Sequence, residues 1–192
     1  MTPIRRVAFI GNSLPRRCGI ATFTTHLQEA VAASYPALET CIVAMTDHGQ
    51  VYDYPATVAL QIKADDVDAY ARARNFLNAG RFDTICLQHE FGIFGGEAGA
   101  HILVLLSGLT MPVVTTLHTV LGDPTAAQRA VLTGIIEASS KIVVMGQRRA
   151  SCFAAFITCR TTKSKSSLTA FQMLPLSRRM RPRPGSGLPE SR

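Results

Sequence analysis

The sequence predicts a doubly wound α/β fold, a mostly parallel sheet with helices on both faces. Three observations carry this. Apolar runs of five to eight residues alternate with helical patterns from Arg6 to Met145, as in parallel strands joined by crossover helices. Glycine-rich loops follow two of those runs, at Gly11–Gly19 and His89–Gly96. The polar residues with chemical potential fall where apolar runs end, which is where open α/β sheets hold ligands.

Taken in order, Arg6–Ile10 (RVAFI) is the first predicted strand. The stretch Gly11–Thr24 (GNSLPRRCGIATFT) follows it with two glycines and a proline, and leads into an amphipathic helix over Ile20–Ala33. A β-α turn of this kind sets backbone N–H groups and a helix N-terminus at the end of a strand, where an anion can be held. Leu38–Met45 and Val58–Ile62 read as the second and third strands, and Ala64–Leu77 as a helix with Asp65 and Asp66 near its start. Phe82–Gln88 is the next strand, and Gly99–Leu109 a helix apolar almost all round. Pro112–Leu117 is a strand ending at His118. Asp123-Pro124 then marks a helix start, with Pro124 expected at the first helical position and Ala126–Ser139 as the body. Lys141–Met145 closes a series of about six strands and four or five helices.

At 192 residues and 47% hydrophobic, the chain suits one domain with a proper core. Its formal charge of +7 raises the question of nucleic acid or a membrane surface. Residues 1–148 hold 11 Lys+Arg against 12 Asp+Glu, net −1, whereas residues 149–192 hold 9 against 1, net +8. The basic excess belongs to the tail, which argues against a nucleic-acid-binding domain. Ser, Thr, Arg and Pro dominate that tail from residue 161, and an RPRPGSG run marks it as disordered by composition. The five cysteines form no CxxC pair and read as free thiols, Cys41 and Cys86 as core residues. No apolar stretch of signal-peptide length precedes the first glycine loop, and apolar runs such as Ile102–Leu106 are far short of the ~20 residues that cross a bilayer. A cytoplasmic protein without membrane insertion is expected.

The first loop is neither a dinucleotide fingerprint, since nothing matches GxGxxG, nor a phosphate-binding P-loop, since no GK[ST] follows. Arg16 and Arg17 give it interest, because either can pair with a phosphate or a sugar hydroxyl, against the plainer reading that both are solvated. His89 and Glu90 look like an acid/base pair, but neighbours in an extended segment point opposite ways. One should line the cleft while the other supports the loop. His118 stands at a strand end, as a cleft residue or a capping histidine. His26 and His101 fall inside helical patterns and read as structural. No cluster has metal-ligand spacing, and no GxSxG elbow is present for a serine nucleophile.

Four segments in order, RVAFIGNSLPRRCGIATFT, QHEFGIFGGEAG, MPVVTTLHTVL and SSKIVVM, resemble the N-terminal domain of glycosyltransferase family 4, enzymes of the two-domain GT-B architecture. The resemblance covers residues 4 to about 148. It implies a Rossmann-like domain that mainly holds the acceptor, with the nucleotide-sugar on a C-terminal domain and hexosyl transfer in the cleft between them. Gly19 and its neighbours Cys18, Arg16 and Arg17 match the family's glycine loop near the donor phosphates and the transferred sugar. His118 matches the cleft histidine and is the implied catalytic residue. Gln88, His89 and Glu90 with Gly95 and Gly96 match the acceptor-side loop. The co-substrate is the nucleotide-sugar, with no other cofactor or metal. Where the family often has Gly-Gly, this chain has Cys18-Gly19.

The larger departure is that nothing in 149–192 resembles the second domain. Reading the bases for residues 150–176 one base earlier, permitted codons give GELLRGIYHVPDDKIEVIPHGIPDAPF, which looks like the family's crossing into that domain. The expectation is a one-base deletion near codon 149, in the gene or in its sequencing, leaving an inactive acceptor-side half. The competing reading is a non-enzymatic α/β binding module whose basic tail meets an acidic partner or membrane surface.

Overall fold

A computed structural model describes residues 3–145 and, as backbone alone, residues 171–174. The elements are β1 (Arg6–Gly11), α1 (Gly19–Ser34), β2 (Glu39–Thr46), β3 (Val58–Lys63), α2 (Val67–Ala79), β4 (Thr84–His89), α3 (Ile102–Leu106), β5 (Val113–Leu117), α4 (Ala126–Ala138), β6 (Lys141–Met145) and β7 (Phe171–Leu174). They form one sheet in the order β3-β2-β1-β4-β5-β6-β7, and every pairing is parallel. The doubly wound α/β architecture expected from the alternating pattern is present, and the sheet is parallel throughout.

Both faces of the central strands are covered, which is why they read as continuous apolar runs. Val7 and Phe9 of β1 join Ile42 and Ala44 of β2 on one face, under Leu27 and Val31 of α1. Ala8 and Ile10 point the other way and pack with Val43, Met45, Tyr70, Leu77, Ile102 and Leu105. Helix α4 adds Val131 and Ile135 to that second face, and its Leu132 and Ile136 pack with Leu117, Ile142 and Val144. Helix α1 therefore lies on one face and α2–α4 on the other. Right-handed crossovers demand this arrangement, because the chain steps outward from β1 to β2 and β3 and then returns to build β4, β5 and β6 on the opposite side.

Several boundaries differ from the sequence reading, each for a local reason. Helix α3 spans Ile102–Leu106 where 99–109 was expected. Two short 3-10 turns, Phe91–Ile93 and Glu97–Gly99, fill the loop before it. Ala98 and Gly99 have left-handed φ of 53° and 80°, which no continuous helix admits. At the other end of α3, the Asn78 side chain donates to Gly108 O at 2.8 Å and accepts from Thr110 N at 3.2 Å, drawing the chain away. Pro124 is not the first helical residue of α4. Thr125 is the N-cap in a reciprocal box with Gln128, its hydroxyl accepting from Gln128 N at 3.2 Å and its own N–H reaching the Gln128 amide oxygen at 2.9 Å. Helix α2 likewise starts later than Ala64, because Asp66 caps it by accepting from Ala69 N at 3.1 Å.

Residues 171–174 pair with β6 from Ile142↔Phe171 to Met145↔Leu174. They give partners to backbone groups that an edge strand would leave open. The rest of the tail, with Cys152, Cys159 and the shifted frame, lies outside the described residues. Among the described residues no helix is long and apolar enough to cross a membrane.

Candidate functional site

The connections from β1 and β4 leave in opposite directions, β1 toward β2 and β4 toward β5, so the sheet's switch point lies between their carboxyl ends. The first glycine loop leaves from β1. Gln88, His89 and Glu90 stand at the end of β4, and His118 at the end of β5.

Gly11 closes β1 in a tight spot, where a Cβ would lie 3.0 Å from both the Gln88 Cβ and the Thr24 hydroxyl and press on both. The next two residues, Asn12 and Ser13, are buried. Asn12 organises the turn: its amide oxygen accepts from Arg16 Nη1 at 2.7 Å, and its Nδ2 donates to Cys18 Sγ at 3.3 Å. The same Sγ accepts from Ala21 N at 3.3 Å, so Cys18 is the N-cap of α1 through its sulfur, in extended backbone. Asn12 supplies the extra donor that holds the thiol in place. Gly19 opens the helix, exposed, and a Cβ there would meet nothing within 4 Å.

The two arginines part company. Arg16 turns inward, with Nη2 2.9 Å from Asp47 Oδ1 beyond the end of β2. Arg17 is exposed and makes no hydrogen bond or ion pair among the described residues. Of the pair, Arg17 is the one presented to solvent.

At the β4 and β5 ends, His118 Nε2 lies 3.0 Å from Gln88 Oε1, with Gln88 1% and His118 8% exposed. An amide oxygen only accepts, so in this arrangement Nε2 carries the hydrogen. The backbone N–H of His118 donates to His89 O at 2.9 Å. Phe23 of α1 meets the imidazole edge-on at 4.8 Å. His118 is thus held by three elements at the carboxyl edge of the sheet.

His89 and Glu90 point apart, as strand geometry requires. His89 is fully buried, edge-on to Phe91 at 4.9 Å and stacked on Phe94 at 5.9 Å. Neither ring nitrogen has a hydrogen-bond partner. Burial, with His118 nearby, pushes its pKa down to about 4, so the ring is neutral at pH 7. Glu90 accepts from Phe91 N at 3.0 Å and from the Thr119 hydroxyl, tying the end of β4 to the residue after His118.

Gly95 and Gly96 face Ala64, Tyr70 and His101. A Cβ on Gly95 would fall 1.7 Å from Ala64 O, and one on Gly96, at φ 79°, would fall 2.6 Å from the His101 ring. Gly95 N donates to the Tyr70 hydroxyl at 3.0 Å, which donates to Ala64 O at 3.0 Å. Burial holds that phenol at about 12. His101 Nδ1 lies 3.3 Å from the same carbonyl, the structural use expected of it. The second glycine loop is thereby fastened to the β3–α2 connection. His26 is exposed instead, in a shallow hollow of about 520 Å³ with Gly19, Thr22, Phe23 and Leu27.

Four residues of the site escaped sequence reading: Asn12, Phe23, Asp47 and Thr119. Asp47 and Thr119 follow strand ends as His118 does, and that position was their available signal. Asn12 and Phe23 carried none beyond lying in the first loop and helix. Among the described residues no three His, Cys, Asp or Glu side chains cluster as a metal site would need. No protein-family model matches the chain, and no curated protein matches it significantly.

Proposed function

We propose that residues 1–148 form the acceptor-side half of a two-domain glycosyltransferase, which moves a hexose from a nucleotide-sugar onto a hydroxyl acceptor. The observation that supports this most is the fixed imidazole of His118 at the carboxyl edge of the sheet, packed by Phe23 against the helix that Gly19 opens. In the transfer, the bond from the sugar's anomeric carbon to the diphosphate breaks, one to the acceptor oxygen forms, and the proton of that oxygen passes to the departing diphosphate. Negative charge grows on the departing diphosphate, where the N–H groups at the start of α1 and the exposed Arg17 are suited to stabilise it. The open space over Gly19 lets those groups be approached closely. His118, already locked in orientation, offers a hydrogen bond to the sugar without reorganising.

In this reading the groups that hold the donor's nucleotide belong to a second domain, so residues 1–148 by themselves do not transfer sugar. We place the protein in the cytoplasm, in keeping with the free thiols of Cys18, Cys41 and Cys86.

The test restores one base near codon 149 at the native locus, expresses the longer product and follows nucleotide-sugar turnover. Turnover by that product, none by the 192-residue chain, and a loss of about 10²-fold on His118→Ala are the expected results. A restored frame that encodes no second domain, or sugar transfer by the short chain itself, overturns the reading.

A further inference from the structure

Gln88 was expected to bind the acceptor, yet the structure gives its side chain another occupation. Its amide oxygen lies 3.0 Å from His118 Nε2, and both side chains are more than nine-tenths buried. Gly11, Gln88 and His118 follow one another across β1, β4 and β5: Ile10 pairs with Leu87, which puts Gly11 beside Gln88, and His89 pairs with Leu117, which puts His118 just beyond. At Gly11 the backbone is not left-handed, so conformational freedom does not explain a glycine. Space does, because a Cβ would press at 3.0 Å on the Gln88 Cβ and at 3.5 Å on its Cγ.

We propose that Gln88 is a positioning residue for His118, keeping hydrogen on its Nε2 and holding the ring in one orientation, and that Gly11 is glycine to leave room for this bond. The neutral imidazole exists in two tautomers that swap donor and acceptor between the ring nitrogens. A partner that only accepts selects the one with hydrogen on Nε2, just as a second hydrogen bond sets the tautomer of a catalytic or metal-binding histidine. Edge contact with Phe23 and the His118 N–H bond to His89 O stop the ring and its backbone from turning away. What the locked ring is for rests on the glycosyltransferase reading; that it is locked does not.

The experiment is long-range proton–nitrogen NMR of the 192-residue chain labelled at its five histidines, at near-neutral pH, with His118 assigned by its disappearance in His118→Gln. The expected result is a single Nε2–H pattern for His118. Gln88→Leu removes the acceptor and lowers the Nε2–H share, and Gly11→Ala lowers it as Gln88→Leu does. Circular dichroism checks that each variant is folded. An Nδ1–H or averaged pattern in the unmodified chain overturns the proposal, whatever the variants do, as does an unchanged pattern in folded Gln88→Leu. An unchanged pattern in folded Gly11→Ala removes the part assigned to Gly11. None of these readouts involves sugar, so a failure of transferase activity in the frame-restored protein leaves this result standing.

Discussion

Arg16 and Asp47 clasp across the carboxyl ends of β1 and β2, with Nη2 2.9 Å from Oδ1 and Nη1 2.7 Å from the Asn12 amide oxygen. The arginine side chain is only 17% exposed, so the pair is better shielded than an ordinary surface ion pair. Arg16→Ala leaves the buried Asn12 amide oxygen without this donor and removes the ion pair of Asp47, which keeps only the Tyr52 hydroxyl among the described residues, and should cost about 2 kcal/mol in urea unfolding. Arg17→Ala, which removes no contact, should stay within about 0.5 kcal/mol. Equal losses in the two variants would show that Arg16 does not organise the loop.

Two glycines predict opposite outcomes on replacement by alanine. At Gly95 the new methyl would collide with a backbone oxygen held by Tyr70 and His101, and such overpacking should cost about 3 kcal/mol or more. At Gly19 the methyl meets nothing, and alanine's better helix propensity should raise stability by up to about 1 kcal/mol. Thermal unfolding of both variants measures the contrast. In the frame-restored protein, Gly19→Ala should nevertheless weaken nucleotide-sugar binding if the loop meets the donor phosphates.

His89 should make the chain acid-sensitive well above the carboxylate range. Its pKa is about 4 in the folded chain against an ordinary 6.5, so below pH 6.5 the unfolded chain binds a proton that the folded chain refuses. Stability is unaffected by this group above that pH, and falls as the pH drops toward 4, by on the order of 3 kcal/mol across the window. His89→Phe, set between Phe91 and Phe94, should lose that part of the slope. Asp65, Asp66 and Asp83, whose carboxyls are held below their usual range by hydrogen bonds, add acid sensitivity at lower pH in both chains. Parallel pH dependence of urea unfolding in the two proteins would refute the assignment.

Cys41 and Cys86 should resist alkylation in the folded state. Burial pushes both thiols up to about 11, leaving about one part in ten thousand as thiolate at pH 7. Mass spectrometry after iodoacetamide should find them unmodified until denaturant is added.

The central strands were legible because they are buried on both faces and read as apolar runs, and their ends pointed to Gln88, His89 and His118. What was not legible depends on contacts between distant elements. Asp47 gains its meaning only from the β1–β2 pairing that puts it beside Arg16. At Gly95 the sequence does not reveal that Ala64 O lies against the backbone. Near the start of α4 the opposite happened: proline and threonine both signal helix starts, and the hydroxyl cap prevailed because it satisfies free N–H groups, which proline cannot do. Residues 171–174 gave no periodic signal, and their strand is defined by the edge of β6 that they join.

The Gln88–His118 bond joins residues 30 positions apart, and Gly11 reaches Gln88 only after the chain has made β2, β3 and α2 and come back. No hairpin or single helix contains any part of this line, so local folding units cannot assemble it. It comes into being only with the complete β1-β4-β5 sheet. The His118 ring proton is therefore a gauge of finished folding: a collapsed intermediate with native helices would lack it, and its recovery after refolding should lag behind the return of helical signal.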